Sequence, residues 1–166
     1  MAVTLYSASV PVFTRMLNNL TNVLNVAEAN AAERKIKLEV LVNARLAPDM
    51  YPLSFQIQSA TDRSKFFVAR VTGKTAPSWA DDEKTFDELR ARIQKAVDYL
   101  ATYDRSEIEG LDDKLIPLKM RGEDVQVPAA DYLFENVYPN FFFHVTTAYD
   151  ILRHNGVPLG KRHFVG

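Results

Sequence analysis

The feature that most constrains this chain is an apolar spacing that alternates three and four residues over long stretches. From Val10 it runs Val10, Phe13, Leu17, Leu20, Leu24, Ala27, Ala31. Such positions share one face of a helix, so the stretch reads as a helix of about six turns with an apolar seam. Ser9 or an earlier Ser or Thr is the candidate cap, and Pro11 fits a first turn. A second stripe reads Met50, Leu53, Ile57, Ala60, Ser64, Phe67, Val71, which predicts a helix starting near Pro48 and closed by Gly73. A third reads Phe86, Leu89, Ile93, Ala96, Leu100, Tyr103, and the Thr85–Glu88 spacing before it is that of a capping box.

Between Lys114 and Val127 the period switches to two. Ile116, Leu118 and Met120 alternate with Pro117 and Lys119, Arg121-Gly122 marks a turn, and Val125 and Val127 alternate again. This predicts a short β-hairpin with Pro117 on an edge strand. Pro128 suits the first position of a fourth helix, which Asn155-Gly156 and Pro158 close. Four seamed helices and one hairpin predict an all-α protein: a single domain over residues 1–166, a four-helix bundle with the hairpin between its third and fourth helices.

Composition removes several classes of function. The 166 residues include no cysteine, so disulfides, thiolate nucleophiles and zinc–thiolate sites are excluded. Twenty basic residues against 21 acidic ones leave a net charge of -1, without the basic excess that nucleic-acid binding needs. No stretch approaches the ~18 apolar residues of a membrane span. The start of the chain shows no basic segment followed by an apolar block, and a cytoplasmic location is the expectation. Neither a Gly-rich phosphate loop nor a serine elbow is present.

Chemistry concentrates in the last helix, on Val137, Phe141, His144, Ala148, Ile151. His144 takes a seam position, where an imidazole can serve as a metal ligand, a general base or a hydrogen-bonded core group. Pro139, one turn earlier, predicts a freed carbonyl and a kink beside it. Asn140 lies one turn away on the same helix. On the second helix Asp49, Gln56 and Arg63 form a polar line beside the seam, some of which can face His144. Asp49 can equally stabilise the helix start, and Arg45 either binds an anionic ligand near that start or forms a surface ion pair. A neighbouring stripe (Tyr138, Phe142, Val145, Tyr149, Leu152) widens the apolar arc, which the hairpin, the tail or a second copy must cover, and on this ground a homodimer is expected. His154 is placed as a helix-end cation, His163 in a solvated tail, and Trp79 as a loop anchor.

The stretches "NARLAPDMYPLSFQIQ" and "PNFFFHVTTAYDILRHNGVPLGKRHFVG" resemble an uncharacterised bacterial and fungal family of unknown function within the DinB/YfiT-like metalloenzyme superfamily. The resemblance covers nearly the whole chain. It implies a four-helix bundle, often dimeric, with a site between the second and fourth helices and, in relatives, a divalent metal and low-molecular-weight thiols. The superfamily's metal pattern is one histidine near the start of the second helix and two, four apart, on the fourth. Here His144 matches one position, Ala148 replaces its partner, and the second helix has no histidine. What stays open is a mixed site in which His144 and Asp49, with Asn140 or water, hold zinc, nickel or manganese. The same pair can work without metal as a base and its orienting carboxylate, with Gln56, Asn140 and Arg45 binding a small molecule. The alternatives are a non-catalytic, metal-free bundle that binds a small ligand or partner, and a structural dimer.

Overall fold

The computed structural model describes residues 3–120 and 122–166. It is mostly helical, with one two-stranded antiparallel hairpin. The long helices are α1 (Val10–Glu33), α3 (Leu53–Thr72), α4 (Phe86–Ala101) and α7 (Tyr138–His154). Shorter ones are α2 (Leu38–Val42), α5 (Arg105–Ile108), α6 (Ala129–Asp131) and α8 (Lys161–Val165). Strands β1 (Leu115–Met120) and β2 (Glu123–Pro128) lie between α5 and α6.

The predicted seams become the core. Phe13, Leu17, Leu20, Leu24, Ala27 and Ala31 of α1 are buried, as are Leu53, Ile57, Ala60, Phe67 and Val71 of α3. Phe86, Leu89, Ile93, Ala96 and Leu100 bury the matching face of α4. Helix α3 packs against both α4 and α7, and α1 closes the remaining sides. Where α1, α3 and α7 meet, the Phe13 ring stands edge-on to Phe67, Tyr138 and Phe141, at centroid distances of 4.9–6.0 Å. Edge-to-face aromatic contacts add to the area these rings bury.

Local signals explain most boundaries. Thr4 Oγ1 accepts from the Ser7 amide (3.2 Å), so the turn leading into α1 is capped by an earlier threonine. Ser9 instead donates its hydroxyl to the Leu5 carbonyl (2.6 Å). Gly73 ends α3 at φ +78°, a conformation that costs glycine little. Thr85 and Glu88 form the reciprocal capping box of α4. The hairpin pairs Leu115 with Pro128 through Met120 with Glu123. Lys114 Nζ donates to the Val71 carbonyl (2.6 Å) and so moors it to the C-terminal end of α3. The expected turn at Arg121-Gly122 falls partly outside the described residues; Gly122 has φ +89°.

Several expectations are corrected. The second long helix begins at Leu53, after Pro52, and not near Pro48. Residues 44–50 form a turn held by Leu53 N–H to the Ala44 carbonyl (3.0 Å) and by Arg45 to the Met50 carbonyl. Met50 and Asp49 therefore lie before the helix, and Asp49 is not part of its first turn. The fourth helix is not uniform: Tyr132–Val137 is a π-helical turn feeding directly into α7. A proline removes an amide donor and crowds the previous turn; the wide turn immediately before Pro139 relieves that crowding. The distortion thus precedes Pro139 and leaves the helix around His144 regular. The tail is docked, not free, although most of its residues stay exposed. Helix α8 lies on α1, where Asn19 Nδ2 donates to the Phe164 carbonyl (2.9 Å) and Arg15 to that of Val165. Phe164 meets Tyr149 edge-on at 5.9 Å. Tyr138 donates its hydroxyl to the Ala8 carbonyl. The wide apolar arc of α7 is therefore covered in part within the chain, at Tyr149 by the tail and at Tyr138 by the N-terminal turn.

Candidate functional site

Helices α3 and α7 bring two polar side chains together across their interface. His144 Nδ1 lies 2.8 Å from Gln56 Oε1. Gln56 is almost fully buried, and its amide nitrogen donates to the Tyr51 carbonyl at 2.9 Å. With that nitrogen committed, the amide presents its oxygen to the imidazole, so Nδ1 carries the proton. Nε2 is left with its lone pair, and no protein donor meets it among the described residues. The Tyr51 carbonyl belongs to the turn that Pro52 ends, so the same local chemistry that starts α3 fixes the tautomer of His144.

The surroundings keep this ring neutral. Burial lowers the pKa of His144 to about 4, and the positive charge of Arg63 pushes the same way. Arg63 lies on α3 seven residues after Gln56, two turns along the same face. It is half-buried, and among the described residues it has no ion pair or hydrogen bond. Aromatic rings border the imidazole: Phe55 at 6.1 Å and Phe143 at 5.4 Å, both edge-on, with Tyr51 stacked on Phe55 at 4.0 Å. Tyr51 is 61% exposed, so its stack with Phe55 makes an open aromatic shelf beside the imidazole, and Phe143 is 55% exposed.

Of the residues singled out from sequence, His144 and Gln56 meet, and Arg63 joins them electrostatically. Asn140 spends its amide on the Asn136 carbonyl of its own helix (2.7 Å). Arg45 braces the 44–50 turn. Asp49 is exposed, and no hydrogen bond or ion pair links it to His144 among the described residues. His163 Nδ1 accepts from the Gly160 amide (2.9 Å) as a local cap of α8. Among the described residues no three His, Cys, Asp or Glu side chains come together as a group that could hold a metal ion. With Nδ1 engaged by an amide, the donors around His144 do not fit a divalent-metal centre of the usual three protein ligands.

Sequence reasoning missed a second polar assembly, on the α4 side of α3. Arg92 is buried and bonds Asp62 (2.9 Å), Asp81 (3.0 Å), Glu83 (2.9 Å), Thr61 Oγ1 (3.1 Å) and the Ala80 carbonyl (2.9 Å). Lys65, also buried, pairs with Asp62 (2.6 Å). Gln58 donates to Glu83 (2.8 Å). Trp79 lies among cations, with Lys65 Nζ 4.3 Å, Lys95 Nζ 5.0 Å and the Arg92 guanidinium 5.1 Å from its ring. Its role as loop anchor is thereby given a mechanism: the 74–85 segment is strapped to α3 and α4. The available signal was Arg92 itself, three residues after Leu89 and four before Ala96, a charged residue flanking the seam next to Ile93.

Residues 5–165 match the family described as a domain of unknown function, DUF1993. The chain is also similar to a DinB family member protein from Shewanella denitrificans known from a crystal structure. The two share 39% identity and a TM-score of 0.92, over 98% of this chain and 92% of that one. No curated protein matches the chain.

Proposed function

We propose, for a chain that belongs to the DUF1993 family and is DinB-like in fold, a metal-free small-molecule site centred on His144 within a four-helix bundle. The observation that carries this reading is the His144–Gln56 bond, which leaves Nε2 free to accept a proton or a hydrogen bond beside an aromatic shelf. A carboxylate behind the ring would raise its basicity; an amide orients it without doing so. The site is therefore first a binding site. It becomes an acid/base site when a bound molecule raises the pKa of the imidazole toward neutrality, where a general base works best.

Nitrogen-15 NMR of the imidazoles in tag-free protein at pH 7 tests this, with His144→Ala identifying the signals. The expected result is a neutral His144 ring protonated at Nδ1, unchanged by added zinc, nickel or manganese. A ring protonated at Nε2 would overturn the reading. Near-stoichiometric metal that disappears in His144→Ala would replace it with the mixed-ligand centre of His144 and Asp49.

A further inference from the structure

Arg63 is the group the His144–Gln56 pair leaves unexplained. A guanidinium withdrawn partly from water is costly unless an anion or acceptors meet it, and the buried arginine on the other side of α3, Arg92, is met by three carboxylates. Arg63 has no counter-ion among the described residues, and its neighbour His144 is a neutral acceptor. The protein thus presents a fixed positive charge on the α3 face that carries Gln56. Phe55 and Phe143 stand edge-on to His144 and Tyr51 stacks on Phe55, and Tyr51 and Phe143 have more than half their surface open.

Resting on the reading of His144 above, we infer that the site takes an organic monoanion with an aromatic body, a carboxylate in the simplest case. The anionic head pairs with Arg63, whose planar fork matches a carboxylate; the ring lies against Phe55 and Tyr51; and a hydroxyl or amine of the ligand donates to His144 Nε2. A neutral ligand would leave the guanidinium unpaired, and a dianion would exceed the single charge offered. Pairing also removes one of the influences that hold His144 deprotonated, so binding and imidazole basicity are coupled.

The probe is 2-naphthoate, with 2-naphthamide as its neutral counterpart and acetate as the anion without a ring. Binding to the full chain is followed by ligand-observed NMR, and the His144 ring by its own titration. Naphthoate should bind at least tenfold tighter than either control and should move the His144 titration to higher pH. Arg63→Met should lower naphthoate affinity to that of the amide, and Arg63→Lys should restore part of it. Thermal unfolding confirms that each variant is folded. Equal binding of naphthoate and naphthamide, unchanged naphthoate affinity in Arg63→Met, or no binding of naphthoate would overturn the inference. The tautomer of His144 is read in the unliganded protein, so that reading can survive when this one fails.

Discussion

Helix α3 carries two polar assemblies on different sides, and they follow opposite rules. Toward α4, Arg92 reaches Asp62, Asp81 and Glu83, and Lys65 adds a second cation under Trp79. Toward α7, among the described residues, His144 has one partner at Nδ1 and none at Nε2, and Arg63 has none. A saturated network has nothing to offer a ligand, because each donor and acceptor already has its geometry fixed. An unsaturated one holds binding capacity that the fold does not consume. The first assembly therefore reads as structure and the second as site, although the first contains more of the residue types associated with catalysis.

The largest effect expected from breaking this contrast is on the saturated side. Arg92→Met should destabilise the protein by about 3–5 kcal/mol, because it strands carboxylates that were neutralised inside the fold. Partial exposure of Asp62 and Asp81 places the loss toward the lower end. Urea unfolding measures it, and Arg92→Lys should recover only part, since one ammonium cannot replace a planar fork. A loss below about 1 kcal/mol would show that the strap is held by Trp79 and the helix seams alone.

How much of this was legible in the sequence follows from what each element depends on. The long helices were readable because their seams are local and periodic: Phe13 to Ala31, or Phe86 to Leu100, encode a buried face without reference to any partner. Gly73, the Thr85–Glu88 box and the hairpin were readable for the same reason, being fixed within a few residues. The start of α3 was misplaced because Met50 continues the seam arithmetic while Pro52 overrides it. The π-helical turn before Pro139 had no pattern of its own. The docked tail depends on Asn19 and Arg15, more than 140 residues away in sequence. The pairing of His144 with Gln56 was legible as two candidate lines on two helices, but not which member of the line Asp49, Gln56, Arg63 would lie opposite. Charge could not decide it: the buried partner is the neutral one.

A smaller effect belongs to Gln56. Its replacement by Leu removes the acceptor of His144 Nδ1 and the donor to the Tyr51 carbonyl, and should cost about 1–3 kcal/mol. The same variant should let the free imidazole populate both tautomers, which NMR reads directly. If one tautomer persists, the orientation of His144 is set by packing against Phe55 and Phe143 and not by the amide.

Next comes the dependence on pH. In the unfolded chain His144 titrates near 6.5 and in the folded protein near 4. Between these values the unfolded chain binds more protons, so stability rises with pH across that window. The contribution is intact above pH 6.5 and is lost as the pH falls toward 4, with a slope from one group of at most about 1.4 kcal/mol per pH unit. His144→Phe should flatten this part of the profile. The slope that His144→Phe removes should be the same in an Arg92→Met background, because that network does not touch the imidazole.

The smallest effect on stability, and the sharpest test of the contrast, is expected at Arg63. A paired inward-facing arginine is missed when removed, whereas one without partners contributes little beyond the packing of its stem. Arg63→Met should therefore change stability by no more than about 0.5 kcal/mol, and relief from an uncompensated charge can make the change favourable. Because its charge helps to hold the imidazole deprotonated, the same substitution should raise the His144 pKa. Two arginines on neighbouring helices, each replaced by the same methionine, would then divide cleanly. One would cost the fold several kilocalories and leave the imidazole alone; the other would cost it almost nothing and retune the imidazole. Were Arg63→Met to destabilise the protein as much as Arg92→Met, Arg63 would have a structural counter-ion of its own, and the charge at the aromatic shelf would not be available to a ligand.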